Sequence, residues 1–148
     1  LIATVPSDAF RQLLGGYRER VARGERDAAE AYADTIDLWL EHHRYPTPEA
    51  WRKILDSAGL QLVRARYYVP ADVVAMWDRA NTTYGLRGSR GRLYRWLASP
   101  RLRALGYQRW IRRWIVRTLS RRWRQAYTMN VPPDGTGGGL LVIGEKVG

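Results

Sequence analysis

Apolar side chains recur three and four residues apart along most of this chain, the spacing that lines one face of an α-helix. Phe10, Leu13, Leu14 and Tyr17 form the first such set. Ser7 and Asp8 stand where a cap is needed, so a helix is predicted to about Arg23, with Gly24 ending it. A second helix, from about Glu25 to His43, places Ala29, Tyr32, Ala33, Ile36, Trp39 and Leu40 on one side and acids on the other, before Pro46 stops it. Thr47-Pro48-Glu49 reads as N-cap, N1 proline and acidic first turn of a short helix through Trp51, Ile54 and Leu55 to Gly59. Residues 61–69 suit an extended segment, and Pro70 opens a helix carrying Val73, Val74, Met76 and Trp77 toward Tyr84.

Beyond Tyr84 the punctuation changes. Gly85, Gly88 and Gly91 predict a flexible loop, followed by helix over 92–97 and a further turn or two from Ser99-Pro100 to Gly106. Tyr107 to Tyr127 contains neither glycine nor proline, which predicts one helix of about 21 residues, roughly 30 Å long. Val131-Pro132-Pro133 terminates it, and Gly135 to Gly139 reads as a flexible connector. The last apolar run, Leu140 to Ile143, suits a small strand, an apolar plug into a neighbouring subunit, or a frayed end.

The expectation is an all-α fold: a helical subunit with a long C-terminal arginine-rich helix, a helix-turn-helix-like part, and a Gly/Pro-rich tail with at most a short strand. At 148 residues the chain is sized for one folding unit. It divides into a mixed-charge part (1–85), an arginine-rich part (86–130) and the tail (131–148).

Charge is what sets those parts apart. The formal net charge is +11. Residues 1–85 hold 11 basic against 12 acidic side chains, whereas residues 86–130 hold 13 arginines, no lysine and no acid. A solvated helix face normally mixes both signs, because interspersed acids relieve repulsion. An acid-free tract repels itself and calls for an external polyanion. Arginine suits phosphate in particular, since its planar guanidinium binds bidentately and sheds water more readily than ammonium.

On a wheel of about 100° per residue, Arg109, Arg113, Arg117, Arg121 and Arg124 share about 120° of arc. Ile111, Ile115, Val116, Leu119, Trp123 and Ala126 occupy the far side and are expected to pack, with Trp110 and Trp114 bordering the stripe. The rise of about 6 Å per i,i+4 step is close to the spacing of successive phosphates on one strand. Arg87, Arg90, Arg92 and Arg95 extend the basic surface into the glycine-containing loop, where backbone can approach phosphate closely. Trp96, Trp110, Trp114 and Trp123 read as core at their helical spacing; the alternative is stacking on bases of a single strand.

Other chemistries are lacking in the sequence. There is no cysteine, hence no disulfide and no thiolate metal site. Adjacent His42 and His43 point about 100° apart on a helix, so they read as surface residues at a helix end and not as ligands of one metal. No catalytic signature appears, and the Gly135–Gly139 run lacks the following helix that a phosphate loop requires. Neither an enzyme nor a cofactor is expected. The longest apolar run is far short of the roughly 20 residues of a membrane span, so a soluble chain is expected. Its first residue, Leu1, suggests processing or a preceding leader.

The segment Tyr84-Gly85-Leu86-Arg87-Gly88-Ser89-Arg90-Gly91-Arg92-Leu93-Tyr94 resembles a Tyr-Gly-aliphatic-x-Gly stretch, ending in aliphatic-Tyr, of major capsid proteins from rod-shaped and filamentous archaeal viruses. The resemblance implies an all-helical virion subunit, paired with itself or a paralogous copy, whose helices wrap linear double-stranded DNA in the A form within a helical filament. Some such filaments carry a lipid envelope, and the subunit would occupy host cytoplasm before assembly. In that setting Arg87, Arg90, Arg92, Arg95 and the helical stripe would be phosphate ligands. The heavy Arg and Trp content and the long mixed-charge first part depart from the pattern. The competing expectations are a cellular chromatin-type or replication-associated DNA-binding protein, and a membrane-surface protein using an Arg/Trp amphipathic helix.

Overall fold

Residues 139–146, the apolar end of the chain, form the central strand of a sheet. In the computed structural model, which describes residues 1–84, 100, 104, 106–128, 131–132 and 135–146, three strands pair: β1 (Ile2–Pro6), β2 (Leu60–Tyr67) and β3 (Gly139–Lys146). β3 lies in the middle and both pairings are antiparallel. The all-α expectation is therefore wrong, and the fold is mixed α and β. β1 escapes a sequence reading because its five residues are edge-strand material with little apolar alternation. Its strand character comes from pairing Ile2 with Ile143 and Val5 with Leu140, at the opposite end of the chain. The extended segment expected at 61–69 is present as β2, with an irregularity between Leu62 and Arg64 that leaves Val63 outside the register.

The helices with described bounds are α1 (Phe10–Leu13), α2 (Gly15–Ala22), α3 (Arg26–Leu40), α4 (Pro48–Ser57), α5 (Ala71–Tyr84) and α6 (Tyr107–Thr128). Leu55 of α4 packs with Leu140 and Val142 on one sheet face, joined by Val5, Leu62, Ala65 and Tyr67. A second cluster holds α1, α3 and α5 together through Leu13, Leu14, Ala33, Ile36 and Val74. The apolar spacing predicted for α3 thus matches its buried positions Ala29, Ala33 and Ile36. Thr47 caps α4 as expected, its hydroxyl accepting from the Ala50 amide at 3.2 Å.

The single first helix expected to Arg23 is instead broken at Leu14, whose ψ of 132° leaves the helical region. The proposed caps do other things. Buried Ser7 donates its hydroxyl to the Gly137 carbonyl, and Asp8 accepts from the Tyr67 phenol at 2.8 Å. α2 is served at its start by a distant residue: the Gly16 amide donates at 2.7 Å to Asp78, buried on α5. A carboxylate there meets orphan amides and the positive end of the helix dipole. The Tyr32 phenol donates to the other Asp78 oxygen, and burial followed by that bond pushes its pKa well above the ordinary value.

The glycine run before β3 is packed, contrary to the expected flexible connector. A Cβ on Gly137 would stand 2.5 Å from the Val69 carbonyl oxygen, and one on Gly138 only 2.2 Å from Val74 Cγ2. Backbone bonds from Ser7 to Gly138 and from Gly138 to Val69 close the junction. Only glycine allows three chain segments to approach this closely.

Candidate nucleic-acid interface

α6 is the 22-residue helix that the absence of glycine and proline predicts. It starts after Gly106, whose φ of +66° suits glycine, and the Gly106 carbonyl accepts from the Arg109 amide at 3.1 Å. Its other end is anchored. Ala126 is buried, Trp123 is half-buried, and a groove of about 500 Å3 between α2, α5 and α6 is lined by Arg18, Arg79 and Arg122 together with Glu19 and Asp72.

Toward solvent, Arg109, Arg113, Arg117, Arg121 and Arg124 are all exposed, as the helical wheel places them on one face. None of the five forms an ion pair with a carboxylate among the described residues. The ion pairs found there belong to Arg11, Arg23 and Arg79. Three of the four acids of α3 are engaged by Arg11, which lies 3.1, 2.6 and 3.5 Å from Glu30, Asp34 and Asp37. Unlike these acids, the arginines of the stripe keep their charge facing water.

Two grooves flank the ridge made by Arg113 and Arg117. One, of about 560 Å3, has Arg109 and Val116 as its other described walls. The second, of about 270 Å3, has Trp110 and Trp114. This corrects the expectation that these tryptophans are core, since Trp110 is 77% exposed and Trp114 59%. Val116, expected to pack on the far side, is 56% exposed. It lies at the edge of that side, about 20° around the wheel from Arg109. Ala126 is buried beside α2 and α5, as expected of that side, and Trp123 is half-buried.

Arg87, Arg90, Arg92 and Arg95 lie outside the described residues, as do the loop and most of the short helices expected around them and, after Tyr84, the segment that carries the capsid resemblance. Arg122 is a further exposed cation that the stripe omits. Its wheel position alone sets it apart, and nothing in the sequence places it beside α2 and α5.

His42 is only partly at the surface. It is half-buried beyond the end of α3, edge-on to Phe10 at 5.5 Å, with Nδ1 3.1 Å from the Tyr45 hydroxyl. Burial lowers its pKa. His43 is exposed. No group of three or more His, Cys, Asp or Glu side chains that could hold a metal ion occurs among the described residues. Within the same residues no helix is long and apolar enough to cross a membrane.

Comparison with known proteins adds no family to this geometry: no family model matches the chain, and no curated protein or solved structure is found to resemble it.

Proposed function

We propose that this chain binds double-stranded DNA through its phosphates, without catalysis and without reading sequence, as a coat or packaging protein. The observation that carries the reading is the exposed face of α6, where five arginines stand along about 22 Å of helix with no carboxylate partner among the described residues. The step of about 6 Å between arginines at i,i+4 is close to the distance between successive phosphates along one strand, and a rigid helix presents them without the entropy cost of ordering a loop. The resemblance at residues 84–94 supports the coat form of this function, a subunit of a helical nucleoprotein filament. The all-helical subunit that it also implied is not part of the proposal.

A coat needs contacts between copies as well as with DNA. Apolar side chains exposed away from α6 suit that need: Leu38 on α3, Ile2 on β1 and Val63 on β2. A chromatin-type protein with the same helix would bind as a discrete unit.

The test combines a salt titration with electron microscopy. Duplex affinity is expected to fall steeply with salt, by roughly 0.9 in log K per log unit of salt for each phosphate engaged, whatever the duplex sequence. Microscopy of the complex is expected to show regular filaments with nuclease-protected DNA. Discrete complexes on an otherwise bare duplex would favour the chromatin-type reading, and a salt-independent affinity would remove the phosphate interface altogether.

A further inference from the structure

The geometry points to unpaired nucleotides as a ligand of the same helix face, an inference that rests on α6 meeting nucleic acid through its arginines. Trp110 and Trp114 are one turn apart, lie within or beside the arc of the arginines, and stand largely in water. A tryptophan usually buries most of its large apolar surface, so two exposed on one helix face suggest a surface that is covered when a ligand binds. The ligand chemistry follows from their neighbours. Trp110, Arg113, Trp114 and Arg117 line one groove of about 270 Å3, which has room for a planar heteroaromatic ring against an indole. Arg113 and Arg117 also form a wall of the groove on the other side.

A cationic ridge with an aromatic groove beside it fits a strand whose phosphates follow the arginines while its bases turn aside onto the tryptophans. Stacking of this kind is tolerant of sequence, because every base has a π-face, and arginine adds a cation–π component. In a duplex the bases are already stacked and paired, and only the phosphates remain available to α6. The indoles therefore contribute to single-strand binding and little to duplex binding, and the helix holds single-stranded segments as well as duplex.

The experiment compares labelled oligothymidylate with a DNA duplex of equal length, by fluorescence anisotropy, on the whole chain. Replacing both Trp110→Ala and Trp114→Ala is expected to weaken oligothymidylate binding about tenfold or more while leaving the duplex within about threefold. Trp110→Phe with Trp114→Phe, which keeps a stacking surface, is expected to restore most of the loss. Both positions are exposed, and circular dichroism checks that the helix persists. An unchanged oligothymidylate affinity in the alanine variant, or an equal loss for both ligands, overturns the stacking inference. Arg113→Glu with Arg117→Glu separates the two readings: if it abolishes binding of both ligands while the alanine variant changes neither, the phosphate interface stands and the base groove falls. Failure of the unaltered chain to bind either ligand, with binding to phosphatidylglycerol vesicles instead, overturns both in favour of a membrane surface.

Discussion

A methyl group at position 138 would lie 2.2 Å from Val74 Cγ2, and Val74 belongs to the cluster joining α1, α3 and α5. Neither side can yield cheaply, because the Gly138 amide is held at 2.8 Å by the Val69 carbonyl and its own carbonyl accepts from Ser7 at 3.1 Å. Gly138→Ala is therefore expected to lower the unfolding free energy by about 1–3 kcal/mol or more, the range for overpacking a filled site. Gly24→Ala supplies the contrast: nothing lies within 4 Å of a Cβ there, and only its φ of +77° resists substitution. That backbone conformation costs about 1–2 kcal/mol in an L residue. Urea unfolding of the two variants should rank Gly138→Ala as the less stable, and the reverse order would mean that the junction relaxes. The composition of 135–139 could not reveal this, because glycine serves both loose linkers and tight crossings. Ser7 and Asp8 hid their roles similarly: each is a good cap by type, yet their partners, Gly137 and Tyr67, are supplied by distant parts of the chain.

Helices were legible wherever local chemistry decides them; among the strands, β2 shows as an extended segment and β3 as one option for an apolar run, while β1 leaves no local signal. Thr47-Pro48 starts α4 through contacts within one turn, and the uninterrupted stretch from 107 makes α6. β1 depends on a partner roughly 140 residues away, which no local pattern encodes. The arginine stripe was legible because a helical wheel needs only the helix to be real, whereas the exposure of Trp110 and Val116 depends on how little of α6 the body covers. α6 also lacks any acid in its first turn, so nothing there complements its own dipole or its own arginines. If those arginines meet phosphates, Arg113→Ala and Arg117→Ala should each shallow the slope of log affinity against log salt for duplex DNA by about 1, with equal losses across duplex sequences. Arg23→Ala is the control, since Arg23 sits 3.1 Å from Glu25 on another part of the surface. Equal effects at all three positions would show that net charge, and not the face of α6, governs binding.

At the scale of the whole molecule the chain leaves the sheet after β2, runs through α5, the arginine-rich segment and α6, and comes back as the strand that β1 and β2 both need. The candidate DNA-binding helix is thus inserted between two strands that are neighbours in space. Its far end is tied to the body through Ala126 and the α2–α5 groove, which lets a long basic helix stand in water without loosening the core. This arrangement makes the last segment decisive for the fold. Leu140 and Val142 are fully buried, and every ladder bond of β1 and β2 runs to β3. Deleting residues 139–146 would leave two strands without partners and expose Leu55, Val5 and Leu62, a loss beyond the few kcal/mol that separate a small domain from its unfolded state. The truncated chain is expected to show no cooperative thermal transition and poor dispersion in its amide NMR spectrum. Because its arginines remain, it should still bind duplex DNA in a salt-dependent way, but Arg113→Ala should then matter no more than Arg23→Ala, since an unfolded chain has no helix face to present. A truncated chain that melts cooperatively would return the segment to the frayed tail that its short apolar run suggests.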